Sequence, residues 1–399
     1  MQHLKKLFSQ PLTLLVLFVV LAILASVQSV LLGLKTFQPD GPLYTHYNNY
    51  VIFVQSFFHL LEQKDLSILY PAEHWDLYKY SPTFALFFGL FAYLPAVLGL
   101  SLWNVLNALI LFFGVKALPN FSDKGVETHG RASLLLLVIV PELMTSLQNT
   151  QSNAMMAGLM IWAFACLERR QYLAATFFIM ATVYIKIFGL VAMALFLFYP
   201  RKDKLALYSA LWAVVLFVLP LVVVDWQQLL FLYRSWGHLL QDDHSISYGF
   251  SVMGWLNTWF GLMADKIVVL GIGVLLFCLP LLRFKLYSNF TFRILTLCSV
   301  LIWVIIFNHK AESATFVIAM SGIAIWFFAQ EKLSRENLVL LVLAIVFTSL
   351  SPTDLFPKFI RKALLEPYVV KAVPCILIWG KIISEMLWMP KVVQVANTD

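Results

Sequence analysis

This sequence is short of charge. Asp, Glu, Lys and Arg make up only 12% of its 399 residues, far below the share that keeps a soluble surface hydrated. Cysteine is sparse too: Cys166, Cys278, Cys298 and Cys375 lie within or next to apolar runs, with no Cys-x-x-Cys pair. They point to neither a thiolate metal site nor a disulfide frame, and they read as small buried hydrophobes. A nucleotide loop is missing, because Gly271 and Gly273 in GIGVLL have no third glycine and no preceding strand, so they read as helix packing. No low-complexity tract, linker or soluble domain interrupts the chain, and residues 1–399 read as one integral membrane domain.

What is present is apolar. The chain is 61% hydrophobic with a mean hydropathy of +0.83, more than any soluble core requires. Runs such as Leu12–Leu34, Leu205–Val224, Val268–Leu282 and Leu338–Leu350 read as membrane helices, since roughly 20 apolar residues cross a bilayer. The expected fold is all-α and polytopic. The first run follows Lys5 and Lys6 but is too long for a signal peptide and lacks a small-x-small cleavage site, so it reads as an uncleaved first span.

A net charge of +7 raises nucleic acid as a partner. The basic residues instead fall in short clusters between apolar runs, which is the positive-inside pattern and excludes a nucleic-acid surface. Lys5/Lys6, Lys116 to Arg131, Arg169/Arg170, Arg201/Lys202/Lys204, Arg283/Lys285, Lys332/Arg335 and Lys391 are assigned to the cytoplasm. Segments around 35–98, 148–153, 186, 225–264, 308–313 and 351–368 then face outward. Lys358, Arg361 and Lys362 are external on this scheme, against the rule. Pro82–Leu94 is too short to cross and opens with Ser81-Pro82, so it reads as a re-entrant or interfacial helix of a long first external loop, 35–98. About twelve spans result, with both termini inside the plasma (inner) membrane. Ala132–Leu147, Ala154–Leu167, Tyr172–Lys186 and Ile187–Tyr199 are short for spans. Short or broken helices at membrane depth need protein or a wet cavity around them, and the expectation is a cavity open to the outer face.

Polar residues gather in a few places. From Asn48 on, Asn48, Asn49, Gln55, Ser56, His59, Glu62 and Gln63 form one helical stripe, with Ile52 the exception, which reads as an amphipathic helix on the membrane surface. Asn48 and Asn49 fit either a solvated face or a site. In DLSILYPAEHWDLYKYSP, the ionisable Glu73, His74 and Asp76 lie among Trp75, Tyr78 and Tyr80. Carboxylates among aromatic faces suit a sugar, and an interfacial aromatic belt is the other reading. LQNTQSN (147–153) places Gln148, Gln151 and Asn153 in an amide-rich turn at membrane depth. Lys186 interrupts YIKIF, where a lone cation is either functional or snorkels to the interface. NHKAES (308–313) brings Asn308, His309, Lys310 and Glu312 into one outer turn, either a phosphate site or a solvated hairpin. QDDH (241–244) is weak ground for a metal, and neither a metal nor a cofactor is assigned.

The ordered set resembles glycosyltransferase family 87, whose members use polyprenyl-phosphate sugars and have the GT-C membrane fold. The matching stretches are NNYVIFVQSFFHLL, DLSILYP, YKYSPTFALFFGLFAYLP with LWNVLNALIL, and LQNTQSNAMMAGLMIWAFACLERRQYLAATFFIMATVYIKIFGLVAMALFLFYPRKDK. The resemblance runs over roughly 45–205 and thins beyond. It implies a GT-C-type bundle with a long first external loop. It also implies inverting transfer of a mannose-like hexose from a polyprenyl-phosphate donor to a lipid or cell-envelope glycan acceptor on the external, periplasmic face. The partners it implies are that donor, a glycolipid or glycan acceptor and membrane lipids.

The family places an Asp, thought to be the catalytic base, where this chain has Asn49. An amide cannot take a proton, so Asp76 and Glu73 come first as base candidates, with His74 beside them. Asn48, Asn49, Tyr80, Gln148, Gln151 and Asn153 would hold substrate. Lys186, His309 and Lys310 would hold phosphate. A transporter or lipid flippase of about twelve spans is the rival reading, and a non-catalytic membrane scaffold is another.

Overall fold

Leucine, valine and phenylalanine without a breaker carry the first apolar run into a helix, α1 (Pro11–Leu31). Its few hydroxyls are silenced locally: Ser26 and Ser29 donate to the carbonyls of Ala22 and Ala25 one turn back. The structure, a computed structural model, describes residues 11–119, 126–242 and 248–390. It is 74% helical and nearly all-α. Among the described residues, Leu12–Leu31, Ala96–Ala117, Gly130–Gln148 and Lys202–Val222 are long and apolar enough to cross a membrane. Lys358–Leu365 and Val370–Trp388 add a broken crossing, bent by 78°. Lys5, Lys6, Lys124, Lys391, and Asp243 and His244 of QDDH, lie outside the described residues.

The chain divides into two compact units, Met1–Leu190 with Arg201–Ile246, and Val191–Pro200 with Ser247–Asp399. In the first unit, α1 leads to a hairpin, β1 (Leu34–Thr36) and β2 (Leu43–Thr45), antiparallel with Lys35 opposite Tyr44. Then come α2 (Asn48–Leu61), an irregular stretch, and α3 (Pro82–Ala92). The long first loop is therefore a folded layer. At about 16 Å, α3 cannot cross a bilayer unaided. Ser81 caps it by accepting from Phe84 N, with Pro82 in the first turn.

Four longer helices follow: α4 (Ala96–Ala117), α5 (Val126–Gln148), α6 (Asn153–Glu168) and α7 (Tyr172–Ile185). Two more, α8 (Lys202–Val218) and α9 (Trp226–Asp242), complete the unit. Ala132–Leu147 is not a short span as expected. Its helix continues back to Val126 through polar residues that hydropathy alone does not count. The expectation of shortness holds for α6 and α7, at 16 and 14 residues.

Close packing inside this unit depends on glycine. A Cβ on Gly158 would sit 2.5 Å from Ile110 O, and one on Gly114 would sit 2.7 Å from Gly158 O. So α4 and α6 meet backbone to backbone, as small residues permit in membranes. Buried amides add polar links. Asn104 donates to Ser26 Oγ at 2.9 Å and to Leu147 O at 3.2 Å. Asn107 Oδ1 accepts Met155 N at 3.1 Å, serving an otherwise orphaned donor in the first turn of α6.

The second unit contains α10 (Val252–Phe260), α11 (Lys266–Cys278), α12 (Phe290–Ile306), α13 (Phe316–Phe328), α14 (Arg335–Leu343) and α15 (Val373–Trp388). α12, α13 and α15 pack together, cross-linked by Trp379 Nε1 to Ser299 Oγ and Trp326 Nε1 to Glu385 Oε2, each 2.9 Å. Arg283 donates to the carbonyls of Met386, Leu387 and Met389. That satisfies acceptors that the end of α15 leaves open.

Candidate functional site

Helix α7 ends at Ile185, and Lys186 is extended at φ −141° and ψ 127°. The chain resumes as a 3-10 helix, Ile187–Phe198, much longer than the three or four residues usual for that geometry. Gly189 makes the break compact, since a Cβ there would fall 2.4 Å from Thr182 Oγ1. Ser81 Oγ donates to Tyr184 O, which ties the start of α3 to the last turn of α7 and sets Tyr80 beside the break.

Lys186 is half-buried. Its Nζ donates to Asn153 Oδ1 at 2.9 Å and lies 5.4 Å from the Tyr80 ring centre and 5.9 Å from that of Phe188. The ammonium can only donate, so it turns the Asn153 oxygen toward itself. The Asn153 amide nitrogen then faces Gln151 Oε1, 2.6 Å away. Lys186, Asn153, Gln151 and Tyr80 therefore form one cluster, with the cation held between an amide and aromatic faces.

The amide turn is a helix ending. Thr150 N donates to Leu147 O and Gln151 N to Ser146 O, the paired bonds of a Schellman motif closing α5. Its left-handed residue is Thr150, at φ 53°. A β-branched residue there is strained, and its other bonds hold it. Thr150 Oγ1 accepts Tyr50 N at 3.0 Å and Thr150 O accepts Trp103 Nε1 at 2.9 Å. Asn49 Nδ2 donates to Asn149 O at 2.8 Å. The start of α2 is thus docked on the amide turn, 100 residues away in sequence.

The predicted site residues divide once seen together. Asn48 is buried and uses both ends of its amide on Trp75, donating to Trp75 O at 2.8 Å and accepting from Trp75 N at 2.9 Å. Gln148 donates to Gln28 of α1 at 2.8 Å. The expected solvated stripe of α2 is only partly so, because Ser56 and His59 are buried under the irregular stretch that follows the helix. His309 and Lys310 lie in the second unit, in the turn between α12 and α13, where Asn308 Oδ1 accepts Lys310 N at 3.0 Å. Gly249, at φ 52°, lets residues 249 and 250 press on that turn, and Phe250 N donates to Ala311 O at 2.9 Å.

The three base candidates are all engaged. Glu73 Oε2 lies 2.9 Å from His59 Nε2, at ion-pair distance but off the line of a hydrogen bond. The His59 ring lies against Tyr70 with centres 3.9 Å apart. Burial pushes the His59 imidazole below its ordinary value, against the pull of Glu73. Burial does the same to His74, whose Nδ1 is 3.1 Å from Asp76 O. Asp76 sits at φ 76°, accepts Leu77 N at 2.8 Å and pairs with Lys79 Nζ at 3.2 Å. The left-handed backbone of a non-glycine residue is a strain of the kind found at functional loops.

Sequence reasoning passed over several residues. The carboxylate of Asp65, the first residue of DLSILYP, accepts Ser235 Oγ at 2.7 Å and Ser67 N at 2.9 Å, tying the loop to α9. Glu142 is fully buried within α5. Its signal was visible, a carboxylate directly after Pro141 in LLLLVIVPELM. Thr150 and Asn107 gave no signal, because their role is to serve backbone groups of distant segments.

A family model described as glycosyltransferase family 87 matches residues 78–307, more than half of the chain. The chain belongs to glycosyltransferase family 87. It is accordingly a membrane glycosyltransferase. No curated protein matches the chain. The matched stretch of family 87 takes in Tyr80, Gln148, Gln151, Asn153 and Lys186. It begins after Asn48, Asn49, Glu73, His74 and Asp76, and it stops just short of His309 and Lys310.

Proposed function

We propose that this family 87 member transfers a mannose-like hexose, with inversion, from a polyprenyl-phosphate donor to a lipid or cell-envelope glycan acceptor. One observation carries the reading. An apolar cleft of about 420 Å³ lies among α3, α4, α6, α7 and α8, lined by Phe84, Phe87, Trp162, Phe178 and Ile185 among others. It reaches Ile185, next to Lys186, and Phe84, whose ring stacks 4.8 Å from that of Tyr80. An apolar cleft whose lining comes within one residue of a held cation suits an isoprenoid chain that ends in a phosphate.

The chemistry follows from that placement. Asp76 or Glu73 takes the proton of the acceptor hydroxyl. The freed oxygen attacks the anomeric carbon from the face opposite the phosphate, and the bond to the phosphate oxygen breaks. Lys186 stabilises the charge that grows on the departing polyprenyl phosphate. Such prepositioned charge is the largest single contribution in many enzymes. Asn49, Gln151, Asn153 and Tyr80 orient the sugar. The bundle is of the GT-C type with about twelve crossings, both termini on the cytoplasmic side of the inner membrane and the site on the outer face.

The test is sugar transfer in proteoliposomes, with a panel of polyprenyl-phosphate sugars and glycolipid acceptors. Lys186→Ala is expected to lower turnover by about 100-fold or more, the scale of losing one preorganised donor. Asp76→Asn or Glu73→Gln, whichever removes the base, is expected to abolish it. Full activity in all three variants overturns the site. Labelling of a cysteine at position 186 from both membrane faces overturns the one-sided site and favours a transporter.

A further inference from the structure

The segment that carries Lys358, Arg361 and Lys362, awkward cations on the positive-inside scheme, runs on into Leu364 and Leu365, which line a second cavity. The second unit contains an apolar pocket of about 570 Å³, lined by Trp259, Phe347, Leu365, Tyr368, Val373 and Leu377 among others. Three irregular features shape it. A π-helical turn, Ala344–Leu350, supplies Phe347. The segment Lys358–Leu365 meets Val370–Trp388 at 78°. At that bend Val369 is left-handed at φ 53°, a genuine outlier for a β-branched residue.

The pocket is layered. Phe347, Val373 and Leu377 give it an apolar wall. Trp259 and Tyr368 are 49% and 45% exposed, and Trp259 Nε1 donates to Tyr368 O at 2.6 Å. Exposed Trp and Tyr mark the headgroup level of a bilayer. The segment that contributes Leu364 and Leu365 to the lining also carries the cations. Arg361 donates to Pro352 O at 2.7 Å and to Asp354 Oδ1 at 2.9 Å. Lys358 and Lys362 are exposed one helical turn apart and form no ion pair among the described residues. Glu366 is the other exposed acid on this stretch.

We propose that this pocket binds an anionic phospholipid of the surrounding bilayer, with its phosphate on Lys358 and Lys362 and an acyl chain against Phe347, Val373 and Leu377. Charge complementarity selects this occupant: lysines next to a membrane-embedded helix attract acidic headgroups, while a neutral lipid or an apolar helix would leave them unanswered. Its lining shares no residue with the cleft next to Lys186, and the inference does not depend on the transferase reading. It also accounts for basic residues on a face where the positive-inside rule expects few.

Native mass spectrometry of the full-length protein, loaded with equal phosphatidylglycerol and phosphatidylcholine, tests it. The wild type is expected to retain phosphatidylglycerol in preference. Lys358→Gln with Lys362→Gln should reduce that preference by roughly fivefold per lysine, with phosphatidylcholine adducts unchanged. Leu377→Trp, which fills the pocket and leaves the charge, should remove the phosphatidylglycerol adduct. Both lysines are exposed, and an unchanged thermal midpoint verifies folding. An undiminished preference in the double variant overturns the headgroup site, and adducts unaffected by Leu377→Trp overturn the pocket. Displacement of phosphatidylglycerol by equimolar polyprenyl phosphate overturns the choice of a bulk phospholipid.

Discussion

Thr150 accepts the first-turn donor of α2, accepts the Trp103 indole, and holds the left-handed position that ends α5. Valine keeps the β-branch and the backbone strain but removes one of the two acceptors of Tyr50 N, which also donates to Tyr47 O at 2.9 Å. Thr150→Val is therefore expected to cost about 1 kcal/mol, the net worth of one hydrogen bond, read as a lower thermal midpoint in detergent. If the midpoint does not move, Thr150 is not what docks α2. Asn49 illustrates the limit of reading single residues. Its bond to Asn149 O spans 100 positions, and no local pattern announces it. Lys186 was legible for the opposite reason, because a cation inside an apolar run is costly wherever it lies.

Helix endings and helix contacts carry their own predictions. α2 closes with Lys64 N donating to His59 O and Gln63 N to Leu60 O, with Gln63 left-handed at φ 57° and exposed. Glycine takes that backbone without penalty, so Gln63→Gly should stabilise the protein by up to about 1 kcal/mol. At the α4–α6 contact, Gly158→Ala forces a methyl against Ile110 O and should cost about 1–3 kcal/mol. Chemical denaturation of the two variants should shift in opposite directions. The loop after α2 also confers a pH dependence. Folding buries His59 and His74 and lowers their proton affinity, whereas the unfolded imidazoles titrate near about 6.5. The unfolded state then binds more protons as pH falls, so stability is full above that value and is lost as pH drops below it. The thermal midpoint should fall between neutral and mildly acidic pH, and His59→Gln should flatten that slope. A slope identical to the wild type's would assign the effect to other groups.

At the scale of the whole molecule, the proposed topology puts the first loop, 35–98, outside and the Arg201–Lys204 cluster inside. In a Cys278→Ser background, a cysteine at Glu62 should react with a membrane-impermeant maleimide in intact cells. A cysteine at Lys204 should react only after permeabilisation. Labelling of both from outside contradicts the positive-inside assignment, and with it the outer-face site.

Composition by itself determined that this is an all-α chain bound for a membrane, because burying backbone in hydrocarbon leaves helices as the economical solution for runs so apolar. It also determined where helices must be short or broken, since Arg170 and Arg201 bracket too few residues for two full spans. The start of α3 and the break at Lys186 were local facts of this kind. Tertiary structure alone decided which polar groups meet. It turned Asn48 inward onto Trp75, sent Gln148 to Gln28, and joined Lys186 to Asn153 and Tyr80. It also extended α5 beyond its apolar run and placed Leu364 and Leu365, which follow the basic stretch at 358–362, in the lining of a pocket. The physical reason is range. Hydropathy and capping act over a few residues, while a hydrogen bond between positions 49 and 149 exists only once the helices carrying them have packed.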